Sequence, residues 1–185
     1  MNLRIFNTLM KEPGLEQQGS EWQLFLEFCS IFLKNNKIKN PVVVELGTGA
    51  GKQKGFYEQL FGAEYVGIDI VDKRSKPDIL GDTHAPQTMQ KLHKKLYGRK
   101  IDILFIDASH VYEDVKKDYE LYSPLCNGLV ALHDIETFRY KGRKSAQVWK
   151  LWDELRGEAH EGPVITIFKR RRRGCQGGIG IIVKK

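Results

Sequence analysis

Cysteine is scarce in this chain. Cys29, Cys126 and Cys175 are the three in 185 residues; they stand far apart, and none belongs to a CxxC pair. An odd, scattered set excludes a disulfide framework and lacks the clustered thiols of a structural zinc site, so reduced cysteines in a cytoplasmic setting are expected. Long hydrophobic runs are missing too: no stretch approaches the roughly 20 apolar residues of a membrane span. The opening residues show no basic start followed by an apolar segment and a small-residue cleavage site, and a soluble protein is expected. Also absent are two well-known phosphate-binding glycine loops. A Walker loop ending at Gly51-Lys52 would need glycine in place of Leu46 and Ser or Thr in place of Gln53; a dinucleotide fingerprint starting at Gly47 would need its last glycine at Lys52.

Positive charge is in surplus, with a formal net charge of +7. Much of it gathers in local runs such as Lys169 to Arg173, so the total says little about an anionic partner. The length suits one domain with a proper core. We read residues 1–19, broken by Pro13-Gly14 and Gln17-Gln18-Gly19, as an N-terminal arm, irregular or a short helix, and 20–185 as a single domain.

The stretch Val42-Val43-Val44-Glu45-Leu46-Gly47-Thr48-Gly49-Ala50-Gly51 organises the rest. Three β-branched residues in a row suit a strand covered on both faces, and alternate glycines let the backbone turn sharply beside a ligand. An acid followed by Gly-x-Gly-x-Gly after a hydrophobic strand resembles the first motif of the class I (Rossmann-like) methyltransferases, whose ligand is S-adenosylmethionine (SAM). That resemblance implies cofactor contacts from Glu45, Gly47, Thr48 and Gly49.

Around it the chain alternates strands and helices. A helix is expected from Ser20, where Ser20 and Gln23 have capping-box spacing and Trp22, Phe25, Cys29 and Phe32 recur at helical intervals. A crossover helix over Lys52 to Phe61 leads to a strand at Tyr65 to Asp69. Asp69, about two dozen residues beyond the turn, suits a carboxylate accepting two ribose hydroxyls, with Ile70 beside it. Pro77 to Asp82 resembles the family's short third strand, which carries Asp82 to the adenine amine. The lysines of a helix from about Pro86 to Tyr97 read as a solvated face.

The fourth strand, Ile101 to Ile106, runs into Asp107 and on through Ala108-Ser109-His110-Val111-Tyr112. A buried parallel strand delivers its last residue to the crevice at the carboxyl edge, where ligands bind in such sheets. The segment resembles the Asp-x-x-His-x-Tyr-x-x-Val signature of a SAM-dependent subgroup that includes catechol O-methyltransferase-like and cephalosporin-hydroxylase-like proteins; Asp118 follows in the same pattern. A fifth strand, Leu129 to Leu132, ends in His133-Asp134. In that subgroup a divalent cation is held after strands four and five, which carries over to Asp107, His133 and Asp134, with magnesium or manganese as the ion. His133 departs from the oxygen ligand usual there: imidazole tilts a site toward manganese, iron or zinc, or His133 is a base and no metal binds.

Val148, Leu151, Trp152 and Leu155 mark an amphipathic helix, and Trp149 falls off that stripe as a partly exposed ring, a pocket wall or a subunit contact of a homo-oligomer. The linker Thr137 to Lys144 is read as a substrate lid or a solvated loop. Val164 to Phe168 and Ile179 to Val183 form an antiparallel hairpin, the reversed last strand of the resembled fold.

The expected architecture is α/β: a doubly wound, mostly parallel seven-stranded sheet with a C-terminal antiparallel hairpin and helices on both faces. The expected activity is SAM-dependent methylation of a small molecule, on an oxygen, with Glu45, Gly47, Thr48, Gly49, Asp69, Ile70, Asp82 and Asp107 at the cofactor and Asp107, His110, His133 and Asp134 at the reacting atom. Two alternatives stand: a nucleic-acid methyltransferase, disfavoured because Asp107-Ala108-Ser109-His110 replaces the Asn/Asp-Pro-Pro-aromatic motif, and a SAM-binding protein without turnover.

Overall fold

The computed structural model describes residues 1–13, 17, 19–72, 76–137, 139, 146–168 and 177–184. In chain order its elements are α1 (Leu3–Leu9), α2 (Gly19–Asn35), β1 (Val42–Leu46), α3 (Gln53–Phe61), β2 (Glu64–Asp69), β3 (Ile79–Leu80), α4 (Pro86–Leu96), β4 (Ile101–Ile106), α5 (Tyr112–Tyr122), β5 (Cys126–His133), α6 (Val148–Gly157), β6 (Val164–Ile167) and β7 (Ile179–Val183). The strands make one sheet in the order β3-β2-β1-β4-β5-β7-β6. Strands β1 to β5 pair in parallel, and β7 runs antiparallel to β5 and β6.

Every residue of β1 is buried, because helices cover both faces of the sheet. Strand alternation divides the core. Val42, Val44 and Leu46 face α4, α5 and α6 through Leu92, Val115, Leu151 and Trp152. Val43 faces α1, α2 and α3 through Phe6, Trp22, Phe25 and Phe56. The strand order reverses between β1 and β4, and a crevice opens there at the carboxyl edge.

The N-terminal residues are more ordered than an irregular arm. Asn2 caps α1 by accepting from Arg4 N (3.1 Å) and Ile5 N (3.3 Å), and Phe6 meets Phe56 edge-on at 5.7 Å. The expected capping box does not form: α2 begins at Gly19, and the Gln23 side chain turns forward to donate to Glu27 Oε1 at 3.0 Å. Trp149 is half-buried with the Arg139 guanidinium 5.7 Å from its ring centroid; it does not line the cavity described below, so the pocket-wall reading is corrected. The run Lys169 to Arg173 and most of the linker 138–145 lie outside the described residues. No helix among the described residues is long and apolar enough to cross a membrane.

Candidate functional site

The crevice holds a cavity of about 790 Å³ whose wall includes Gly47, Gly49, Asp69, Ile70, Asp82, Asp107, His110, His133 and Asp134. Its floor is set by backbone. Gly47 N donates to Ile68 O at 2.9 Å and Asp107 N to Leu46 O at 2.8 Å, which clamps the end of β1 between β2 and β4. Gly47 has φ +81°, and a Cβ there would stand 2.2 Å from the Asp107 carbonyl oxygen, so only glycine fits. The Asp69 carboxylate ties down the turn itself. Its Oδ2 accepts from Thr48 N (2.9 Å), Gly49 N (3.0 Å) and Thr48 Oγ1 (3.2 Å), while Oδ1 accepts from Val71 N (2.9 Å).

An acid–imidazole cluster stands at the ends of β4 and β5. Asp107 Oδ1 lies 3.1 Å from His133 Nδ1 and 3.7 Å from His110 Nε2, and its Oδ2 accepts from Gln17 Nε2 at 3.0 Å. Asp134 Oδ2 lies 3.2 Å from His110 Nε2, and its Oδ1 accepts from Thr137 Oγ1 at 2.5 Å. Asp134 holds φ +60°, a left-handed backbone that is uncommon outside glycine and recurs at functional sites. Burial pushes the Asp107 carboxyl up, but the charge of His133 and the contacts with both imidazoles outweigh it and hold the group well below the usual carboxylate range. Burial alone would lower His133; Asp107 reverses this, with Asp134 adding to it, and the pKa rises to about 9. His110 is raised as well, by Asp107 first. The His133 imidazole is therefore mostly cationic at neutral pH, paired with the ionised Asp107.

Asp107, His110 and Asp134 each turn one ligand atom inward, all within 4.8 Å of one another. The expected metal set, Asp107, His133 and Asp134, has His133 where this grouping has His110. His133 Nδ1 is engaged by Asp107, and its side chain is only 10% exposed, so it braces the carboxylate from behind. With its pKa raised to about 9 by Asp107, His133 is mostly protonated at neutral pH.

Residues 63–135 match a family model described as a methyltransferase domain. Solved structures of low sequence identity share the whole architecture. TomG, an O-methyltransferase from Streptomyces achromogenes in complex with SAM, superposes with a TM-score of 0.66 at 12% identity, covering 97% of this chain and 86% of that one. The chain has a class I methyltransferase fold. MycE, a methyltransferase of the mycinamycin biosynthetic pathway in complex with Mg, SAH and mycinamycin VI, gives a TM-score of 0.62 at 16% identity over 98% of this chain. This chain spans about half of MycE, 52% of its length. An rRNA methylase from Streptococcus thermophilus reaches 0.61 at 10% identity over 92% of this chain and 99% of that one, so the methyltransferase fold does not by itself choose an acceptor. No curated protein matches the sequence.

Within this fold most of the predicted residues meet at the cavity, and two do not. Glu45 is fully buried and off the cavity wall: its Oε2 accepts from the Tyr65 hydroxyl. Burial raises its pKa to about 8, so the group is mostly neutral at pH 7. Thr48 is buried under the turn, held by Asp69. Ile70 is 70% exposed at the mouth. Asp82 sits on the wall with Oδ1 accepting from His84 N at 2.8 Å.

Among the wall residues not predicted from sequence, three stand out. Gln17 arrives from the N-terminal segment, 90 positions away from Asp107, with no periodicity to mark it. Gln53 is buried at the first position of α3, directly after the glycine turn, and its place there was the available signal. Asp118 comes from α5; the resembled signature included it without giving it a role.

Proposed function

We propose that the chain transfers a methyl group from SAM to an oxygen of a small-molecule acceptor, with a divalent cation held by Asp107, His110 and Asp134. One observation carries this reading: the glycine turn, Asp69, Asp107 and the acid–imidazole cluster share one cavity at the point where strand order reverses.

The residues present fit both groups. The cavity's 790 Å³ lies within the range typical of small-ligand sites, roughly 300–1,000 Å³. At Gly47 the missing Cβ leaves backbone open to close approach. Asp69 suits a ribose, though less fully than expected. A carboxylate has about four acceptor positions, and three donors on Oδ2 with one on Oδ1 leave a single place for a hydroxyl. Two carboxylates and an imidazole form a mixed oxygen–nitrogen donor set, which suits manganese better than magnesium, because magnesium favours oxygen alone.

SAM, when bound, supplies a methyl group on a positively charged sulfur, open to direct displacement. A divalent cation, when bound, lowers the pKa of a hydroxyl it touches and favours the oxyanion. The chain contributes position and charge. Asp107 stays ionised across the physiological range, fixed by Gln17 on one oxygen and His133 on the other. Thr137, itself accepting from Gly177 N at 2.8 Å, sets the Asp134 carboxylate from the side of β7. A small acceptor suits this acid-lined cavity better than a polyanion does.

The test is transfer of a radiolabelled methyl group from SAM to a panel of hydroxylated aromatics and sugars, before and after chelation, with manganese or magnesium restored. Transfer that chelation abolishes, that manganese restores better than magnesium, and that Asp107→Ala removes while SAM binding persists is the expected result. SAM binding without methyl transfer to any acceptor would leave a binding protein instead.

A further inference from the structure

The edge of the sheet opposite the crevice is one-sided in charge. Two helix-to-strand connections meet there: α2 ends at Asn35 and leads into β1, and α4 ends at Leu96 and leads into β4, the neighbour of β1. Arg99 Nη2 donates to Asn40 O at 2.8 Å and ties the two together. From Lys34 to Asn40 and from Lys94 to Lys100 the chain has no acid. Arg99 is neutralised by Glu64 at 2.7 Å, and Lys100 Nζ donates to Pro124 O at 3.2 Å. Lys34, Lys37, Lys39, Lys94 and Lys95 are all exposed, and none forms an ion pair or a side-chain hydrogen bond among the described residues. The acids that begin the adjoining strands are already committed, Glu64 to Arg99 and Asp102 to Val42 N, from which its Oδ2 accepts at 2.8 Å. These lysines therefore hold a positive potential with no local counter-charge.

A solvated lysine face needs no aromatic residue, yet Tyr97 stands between Lys95 and Arg99 and is 88% exposed. It caps α4 with φ +48°, a left-handed backbone that favours glycine, and contributes no packing that would explain a tyrosine there. Lys37 and Asn40 are left-handed as well, so both connections are tight turns. An exposed ring among unpaired cations is the arrangement that takes a phosphate chain and stacks one of its bases. An acidic protein would have no use for the isolated ring. A lipid surface would find no aliphatic anchor, because Leu96 is buried and Ile38 half-buried.

We propose that this edge binds single-stranded nucleic acid, with the lysines along the phosphates and a base stacked on Tyr97. The five residues of β1 separate it from the crevice by about 15 Å, so the strand is a bound partner and not the methyl acceptor. The inference is independent of the SAM reading.

Fluorescence anisotropy of a labelled oligouridylate of about 12 nucleotides, titrated at rising potassium chloride, tests it. The wild type is expected to bind saturably, with an affinity that falls as salt rises by a log–log slope of about 0.7 per phosphate contacted. Changing Lys37, Lys39, Lys94 and Lys95 together to Gln is expected to flatten that slope by about 0.7 for each lysine that meets a phosphate, and to weaken binding at least about tenfold. Tyr97→Ala is expected to weaken binding about tenfold and to leave the slope unchanged, which a purely electrostatic or structural role would not do. The changed side chains are exposed, and thermal melting of each variant confirms that it folds. No saturable binding by the wild type overturns the proposal, as does wild-type affinity in either folded variant. Binding that survives the lysine changes but disappears when Lys169 to Arg173 are changed to Gln assigns the affinity to that run and also overturns it. So does tighter binding to polyglutamate or to phosphatidylserine vesicles than to the oligonucleotide at the same salt.

Discussion

Glu45→Gln isolates the cost of burying an acid beneath the glycine turn. The wild-type carboxyl has an ordinary pKa of 4.5, raised in the folded protein to about 8 chiefly by burial. Below pH 4.5 the group is protonated in folded and unfolded chains alike, and its full contribution to stability is present. Between those values the unfolded chain ionises while the folded chain does not, so stability falls as pH rises, by about 1.4 kcal/mol per pH unit for this one group. The loss levels off above the folded value. From 4.5 to 8 it amounts to about 5 kcal/mol, a large share of the 5–15 kcal/mol typical of a domain. Glutamine keeps an acceptor for the Tyr65 hydroxyl and cannot ionise, so the variant lacks this slope. Urea unfolding of both proteins at pH 5, 6.5 and 8 should give a difference in stability that widens steadily in favour of the variant. Other titrating groups, His133 included, are common to both proteins and drop out of the difference. Parallel pH profiles would refute the reasoning, and Glu45 would then be ionised in the fold.

Gly47→Ala should unfold at a lower temperature by on the order of 10 °C, since its Cβ would press on Asp107 backbone that cannot yield and its φ is +81°. A shift under a few degrees would mean that the clamp between β1 and β4 is looser than described. Gln17→Ala removes the 3.0 Å hydrogen bond on Asp107 Oδ2 and should weaken manganese binding about tenfold, read by electron paramagnetic resonance, because partners that orient a ligand carry that much of its affinity. Unchanged manganese affinity would place the ion away from Asp107.

The parts of the site legible in the sequence are those that strand grammar controls. Buried parallel strands are continuous apolar runs, and the residue ending each must reach the crevice, which is how Asp69, Asp107 and Asp134 could be placed before any fold was known. Glu45 shows where that grammar was applied too loosely. It stands two positions before Gly47, still inside β1, where alternation sends its side chain to the same face as Val43 and the buried Tyr65. The choice between His110 and His133 could not be read either: it depends on the left-handed turn at Asp134 and on which carboxylate oxygen each ring meets. Gln17 depends on a contact that no local pattern encodes. Sequence distance hides such pairs because closing the chain between them leaves no mark on composition or period.

The central claim is that Asp69, ending β2, grips a sulfonium nucleoside on the same rim where Asp107, just beyond β4, faces the reacting atom. Calorimetric titration of SAH into the wild type and into Asp69→Ala tests it most directly. The account predicts one saturable site in the wild type, and binding weakened at least about tenfold in the variant, whose glycine turn has lost the carboxylate that fixes it. No heat of binding in the wild type, or equal affinity in both proteins, would contradict it.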